Sequence, residues 1–268
     1  MHHAARQRFL TEHLSGVPFC PTMTRALPGE SAAAPAAARG VEASRTGDAR
    51  EGARADMRVR AGEAPRSGSA AQPAPADKAA LLDELRREHD LHCPHCTTAA
   101  GHTNTVFGEG APDARIMFIG EAPGAEEDRT GRPFVGRAGQ KLDDMIRAMG
   151  LKREDVYIAN ILKSRPPNNR TPRPDEIVDC SPFLARQIAI IQPEALVALG
   201  NPATKFLLQT DQGITRMRGQ WSTHRSPDGL EIPVMPTFHP AYLLRNYTRE
   251  VRERVWSDLQ AVMTRLGI

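Results

Sequence analysis

Three short segments of the 268-residue chain carry residue types that could do chemistry. The first, GEAPGAEEDRTGRPFVGRAG (120–139), follows the apolar run Ile116–Ile119 and is crowded with glycines and acids. Glycines at that density mark a backbone that must pass close to something. The acids argue against a phosphate cradle. The second, NILKSRPPNNR (160–170), opens on Asn160 and holds Lys163, Arg165 and Arg170. The third, FHPAYLLRN (238–246), sets His239 before a proline. Taken singly, each has an ordinary structural reading as a turn, a strand-ending cap or a rigid corner. The four cysteines (Cys20, Cys93, Cys96 and Cys180) are too few and too scattered for a disulfide scaffold. In a reducing compartment they read as metal ligands or core thiols, with Cys93 and Cys96 in a C-x-x-C pair.

The elements that must position these residues follow from periodicity. Residues 77–90 predict a helix with Asp77 as N-cap and Leu81, Leu82 and Leu85 on one face. A strand is expected over 115–119 and a helix over 139–149, where Leu142, Met145, Ile146 and Met149 recur at helical spacing. Strands follow at 155–161, 194–200 and 231–238. Between them lie a helix over 174–191, opened by Pro-Asp-Glu and kinked at Pro182, and a short helix from Asn201. A terminal helix spans 249–266. This alternation predicts a three-layer α/β/α sandwich with a mainly parallel central sheet. Ligand sites of such sheets lie beyond the carboxyl ends of the strands. All three unusual segments begin at such ends, which makes their combination far more telling than any one of them.

Residues 1 to about 76 are rich in Ala, Arg, Gly, Pro and Ser and hold few large apolar side chains. Such a segment cannot bury enough surface to offset its chain entropy, so it is expected to be a disordered low-complexity tail, with the folded domain over 77–268. Net charge is only +3, so the whole-chain balance does not announce nucleic acid, though a local basic face is compatible with it. No apolar stretch approaches a membrane span, and no signal-peptide core opens the chain.

The segments GEAPGAEEDRTGRPFVGRAG and HPAYLLRN, supported by FGEGAPDARIMFIGEAPG and RGQW (218–221), resemble the uracil-DNA glycosylase superfamily in order, spacing and composition. The likeness is to its type-4, iron–sulfur-containing branch and runs from about Leu85 to Leu266. The resemblance implies a cytoplasmic, monomeric enzyme. It flips uracil out of single- or double-stranded DNA and hydrolyses the N-glycosidic bond, leaving an abasic site. Phe134 would stack on the uracil ring. Asn160 would read its edge, since a side-chain amide offers the acceptor and donor that match N3–H and O4 and mismatch cytosine. His239 would donate a hydrogen bond to O2, where negative charge gathers as the bond breaks. Glu121 and the backbone of Ala122 would line the pocket and position water or sugar. Glu127, near uracil C5, would help exclude thymine's methyl group, and Asn169 would lie beside the site. Tyr242, Leu243 or Leu244 would wedge into the vacated stack, with Arg245 on a phosphate. Lys163, Arg165 and Arg170 would grip the backbone. A sliding clamp or downstream endonuclease is the kind of partner such an enzyme would meet. A non-catalytic DNA-binding domain of the same fold is the competing reading, which the joint presence of Phe134, Asn160 and His239 disfavours.

The same resemblance implies a 4Fe–4S cluster held by four cysteines. Cys93, Cys96 and Cys180 match three of them, but the fourth position is Ser164. An oxygen is a poorer partner than a thiolate for such a cluster. Three outcomes stay open: a cluster with three cysteines and Ser164 or another group, zinc with a nitrogen from His92, His95 or His102, or no metal.

Overall fold

The computed structural model describes residues 74–226 and 229–268. The expected tail, apart from residues 74–76, and Cys20 lie outside the described residues.

The chain opens with helices α1 (Pro75–His92) and α2 (Pro94–Thr98), then a short strand β1 (Glu109–Gly110) and strand β2 (Ile116–Gly120). Helices α3 (Ala125–Thr130) and α4 (Arg137–Ala148) precede β3 (Tyr157–Asn160). Next come α5 (Pro174–Ile191), β4 (Ala195–Leu199), α6 (Gly200–Leu208), α7 (Ile214–Met217), β5 (Ser222–Arg225) and β6 (Glu231–Thr237). Helices α8 (Pro240–Arg245) and α9 (Arg249–Leu266) close it. The six strands form one sheet in the order β1-β3-β2-β4-β6-β5. The inner four are parallel, and β1 and β5 pair antiparallel at the two edges.

The inner strands are apolar runs because both of their faces are covered. Along β2, Met117 and Ile119 point to one layer, with Leu82, Leu85, Leu184, Ile188 and Leu207. Ile116 and Phe118 point to the other, with Leu142, Ile146, Leu243, Leu259 and Val262. The period-2 alternation of one strand thus feeds two cores, which is the three-layer α/β/α sandwich.

The structure departs from the expectations in local ways. Helix α1 starts at Pro75, with Asp77 inside its first turn rather than capping it. Proline at the first helical position needs no N–H there and has its backbone angle preset. Helix α5 keeps the expected bounds and contains Pro182 in its interior. Pro182 lies on the exposed face, where the carbonyl it deprives, that of half-exposed Val178, can turn to water. Strands β1 and β5 were not legible, because edge strands this short and half-exposed carry little apolar signal.

The RGQW turn is tied down by a buried carboxylate. Asp258 of α9 accepts from the Arg218 guanidinium and from Thr237 Oγ1 at 2.7 Å, joining the end of β6 to the terminal helix. Burial pushes its pKa up, while Thr237 and Arg218 pull the other way. Removing one partner of such a pair strands the other, at a cost of about 3–5 kcal/mol. Asp258→Ala should therefore lower the free energy of unfolding by about that much, measured by urea titration, and Asp258→Asn, which keeps the Thr237 hydrogen bond, by less.

Candidate active site

The strand register brings the three segments to one edge. Gly120 at the end of β2 lies beside Asn160 at the end of β3, and Leu199 at the end of β4 beside Thr237 of β6. The loops that leave these strands therefore open side by side.

Their close approach depends on missing side chains. A Cβ at Gly120 would stand 2.3 Å from Asn160 Oδ1 and 2.6 Å from Phe134 Cζ. Gly120 thus lets Phe134 and Asn160 share one small volume. Gly200, at φ +87°, does the same for His239, whose Cβ would be 2.9 Å from an added methyl. The rings of Phe134 and His239 lie 5.6 Å apart at 35°. Phe134 thus has Asn160 near it across Gly120 and His239 beside its ring.

Phe134 is held in a left-handed backbone conformation, φ 50°, which costs a non-glycine residue energy unless its surroundings impose it. Arg153 imposes it by donating to the carbonyls of Pro133 and Phe134 while pairing with Asp143 at 2.9 Å and Glu109 at 3.0 Å. Gly139 leaves room for the Phe134 carbonyl, which an added Cβ would meet at 1.9 Å. Glu127 completes the clamp. Its Oε1 accepts from the N–H groups of Val135 and Gly136, both at 2.9 Å, and Oε2 from Gly124 at 3.1 Å. The carboxylate is thus engaged with backbone on both sides of the loop that carries Phe134. Arg153 was not singled out from the sequence, since an arginine in a polar loop gives no signal of its target.

Asn160 is 1% exposed, and its Oδ1 has no hydrogen-bond partner. A buried acceptor left unpaired is costly, so it marks a place where something else donates. His239 caps α8, accepting at Nδ1 from the Ala241 N–H at 3.1 Å. That bond leaves the ring proton of the neutral imidazole on Nε2. Burial, helped by the nearby Arg245 charge, pulls its pKa down to about 4. At neutral pH the ring is an uncharged Nε2–H donor. Glu121, half-buried, has its pKa raised by burial, and its carbonyl and that of Gly120 accept from Leu162 and Ile161. Ala122 is half-buried against the core layer that contains Met117.

Several side chains expected on DNA lie elsewhere. Lys163 is fully buried, its Nζ donating to the Asn160 carbonyl at 2.8 Å and to Gln187 Oε1 at 2.6 Å. It cannot grip a phosphate; it anchors the segment after Asn160. The apolar surroundings draw its pKa down to about 8. Arg170 forms a fork with Glu176, at 2.8 and 2.5 Å, that holds the carboxyl at about 2, so its guanidinium closes the start of α5 instead of reaching outward. Leu243 is 3% exposed in the core and no wedge, because the helical twist of α8 turns it inward. Tyr242 stacks on Phe238 at 4.7 Å. Leu244 is half-exposed and Arg245 exposed. Arg165 donates to Asn169 Oδ1 at 2.7 Å on the outer surface of the same loop.

On the far side of the Asn160 segment, Cys93, Cys96 and Cys180 converge. Cys96 and Cys180 sulfurs lie 3.6 Å apart, and the Lys163 N–H donates to Cys180 Sγ at 3.1 Å. The Cys93 thiol is held far below its ordinary pKa by hydrogen bonds from Cys180 and Cys96, a thiolate-forming environment. Ser164 is buried here, its Oγ 3.4 Å from Cys96 Sγ. The nitrogen in the group is that of His89, not of His92, His95 or His102, and all four donor atoms lie within 4.8 Å of one another. His89 sits four residues before Cys93 on α1, and that i, i+4 spacing was the sequence signal available for it. The set suits a metal ion or an iron–sulfur centre. A four-thiolate set it is not.

A profile described as the Uracil DNA glycosylase superfamily matches residues 107–260. The chain belongs to that superfamily. It is 48% identical to a type-4 uracil-DNA glycosylase of Thermotoga maritima over 183 residues, covering 67% of this chain and 92% of the relative. A type-4 uracil-DNA glycosylase of Sulfurisphaera tokodaii is 47% identical over 60% of this chain and 74% of its own length. That of Archaeoglobus fulgidus is 41% identical over 68% and 91%. The matched residues contain β2 through most of α9, with every strand end described above. Among the described residues no helix is long and apolar enough to cross a membrane.

Two outcomes follow from this geometry. Lys163→Met keeps the bulk but frees the Asn160 carbonyl. Turnover of a uracil-containing oligonucleotide should drop, by up to about 10²-fold for an ångström-scale shift, with the loss in kcat exceeding any change in DNA affinity. His239 makes stability depend on acid. Between pH 6.5 and about 4 the unfolded chain takes up a proton that the folded pocket refuses, so its contribution is complete above 6.5 and is lost as pH falls. Melting temperatures of the parent and His239→Asn across that window should converge toward low pH.

Proposed function

We propose that this chain is a type-4 uracil-DNA glycosylase that hydrolyses the N-glycosidic bond of a flipped-out deoxyuridine and leaves an abasic site. The observation that carries this reading is the buried, unpartnered Oδ1 of Asn160 beside Phe134 and the neutral His239. That oxygen accepts from uracil N3–H, and the amide N–H₂ donates to O4. Cytosine presents the opposite pattern and leaves both amide groups unpaired, which disfavours it by a few kcal/mol or more. Phe134 stacks on the ring. Glu127 acts on selectivity through the loop it clamps, keeping Phe134 and its neighbours close enough to exclude the methyl group of thymine.

As the bond from N1 to C1′ breaks, its electron pair passes to the uracil, and charge collects on O2. His239 donates Nε2–H there. A neutral donor stabilises that oxygen more in the transition state than in the ground state, without the cost of holding a buried cation. The sugar, left as an oxocarbenium-like species, is captured by water, which then loses a proton to solvent, so that the abasic sugar gains a hydroxyl and uracil leaves with the bonding pair. Glu121 helps position that water or the sugar. Leu244 takes the place of the flipped base in the stack, and Arg245 contacts a phosphate. The cysteine centre is structural. It ties the segment after Asn160 to α1 and stands apart from the bond-breaking step.

The test is alkaline strand cleavage of a labelled oligonucleotide containing one uracil, with the full chain and Asn160→Ala. Cleavage by the parent and its loss by at least about 10²-fold in the variant, with DNA binding retained, is the expected outcome. A parent that binds the DNA and releases no uracil would favour the non-catalytic reading.

A further inference from the structure

We propose that His89, and not Ser164, supplies the fourth ligand of the cysteine centre, making it a Cys3His site of His89, Cys93, Cys96 and Cys180. The family-like position of the missing thiolate is occupied by a hydroxyl, but the fold delivers a different donor to the same group. His89 is fully buried on the last turn of α1, and its Nε2 has no hydrogen-bond partner. An imidazole nitrogen buried without a partner is costly, and coordination would satisfy it.

The ring is held as a ligand's ring is held. Nδ1 pairs with Asp90 Oδ1 at 2.9 Å, and Thr105 Oγ1 donates to the same oxygen at 2.8 Å. A carboxylate on the far nitrogen selects the tautomer that presents a free Nε2 lone pair and raises its basicity. Phe183, edge-on at 4.9 Å, and Phe107 at 5.7 Å fix the plane. The local chain supports the same set. His89 and Cys93 are one helical turn apart, Cys93 both ends α1 and caps α2, and Cys96 follows after two residues. Cys180 arrives from α5.

Ser164 suits a supporting part. Its Oγ is the acceptor of the Cys96 thiol at 3.4 Å, and with a thiolate there the hydroxyl would donate instead. A hydroxyl gives up its proton far less readily than a thiol and is a harder donor, so it competes poorly for a soft ion. The spacing of the set is compact. A single tetrahedral zinc with bonds of about 2.3 Å places neighbouring sulfurs about 3.8 Å apart, near the 3.6 Å between Cys96 and Cys180. Thiolates with an imidazole serve both zinc and iron–sulfur chemistry, and the experiment separates the two.

The full chain would be purified anaerobically from cells supplied with zinc and iron. The variants are His89→Ala, His89→Cys, Ser164→Ala and the double variant His89→Ala with Ser164→Cys. Zinc, iron and acid-labile sulfide would be measured, and Co2+ uptake followed by thiolate charge-transfer and ligand-field absorption. Ser164→Ala should keep the parent's metal. His89→Ala should lose at least about 90% of it, since even a lost outer-shell partner costs 10- to 100-fold in affinity. His89→Cys and the double variant should each restore it, with Co2+ bands shifted toward a four-sulfur site. Zinc without sulfide would identify a single ion, and iron with matching sulfide a histidine-ligated cluster. Either supports the assignment when it depends on His89. A parent holding no zinc, iron or Co2+ would overturn it, as would metal lost in Ser164→Ala and kept in His89→Ala.

Discussion

The buried ammonium of Lys163 is the interaction on which the rest of the site depends. It lies three residues beyond Asn160 and donates back to that residue's carbonyl, while its second bond reaches Gln187 on α5. Gln187 in turn donates to the Phe107 carbonyl and the Tyr157 hydroxyl, so one charge gathers β3, α5 and the segment before β1. The backbone N–H of the same lysine points at Cys180. A cation sealed from water is costly unless its hydrogen bonds are met, and this arrangement meets two of its three with oxygen acceptors. The consequence is that the turn after Asn160 is tied at once to the Asn160 carbonyl, to α5 and to the cysteine cluster.

The close packing of the side chains at the site is made by subtraction. At positions 120 and 200 a side chain would collide with Asn160, Phe134 or His239, and Gly139 lets the Phe134 carbonyl fold down over α4. The side chains brought together there are held from several directions. Arg153 and Glu127 fix the backbone on either side of Phe134, and the α8 cap fixes His239. Preorganisation of this kind is what the proposed role of the uncharged imidazole requires, since a fixed donor need not reorient as charge develops.

Three basic residues that follow Asn160 are engaged within the protein. Basic residues in NILKSRPPNNR serve the protein's own architecture, through Lys163 inside and Arg170 on Glu176. Arg245 on α8 remains exposed, beside half-exposed Leu244. Charge near a site is therefore a poor guide to contact with phosphate until the partners of each cation are known.

The sequence by itself determined the sandwich, its parallel inner strands and the meeting of three loops at one edge. Each of these is encoded locally, in apolar runs, helical spacing and glycines that follow strands. The motifs around Phe134, Asn160 and His239 were equally legible, because their order and composition are rare. What tertiary structure alone decided was where individual polar side chains spend their hydrogen bonds. Lys163 turned inward, Leu243 joined the core and Glu127 bound backbone, although in sequence all three look like outward or pocket-lining groups. His89 was hidden for the same reason: one histidine among several near a C-x-x-C pair is selected only when α5 brings Cys180 to it. Periodicity tells which face a residue occupies, but the partner of a buried donor or acceptor is set by residues far along the chain, as Lys78 on the Ile191 carbonyl, 113 positions away, shows. That pairing exists only once the layers have closed.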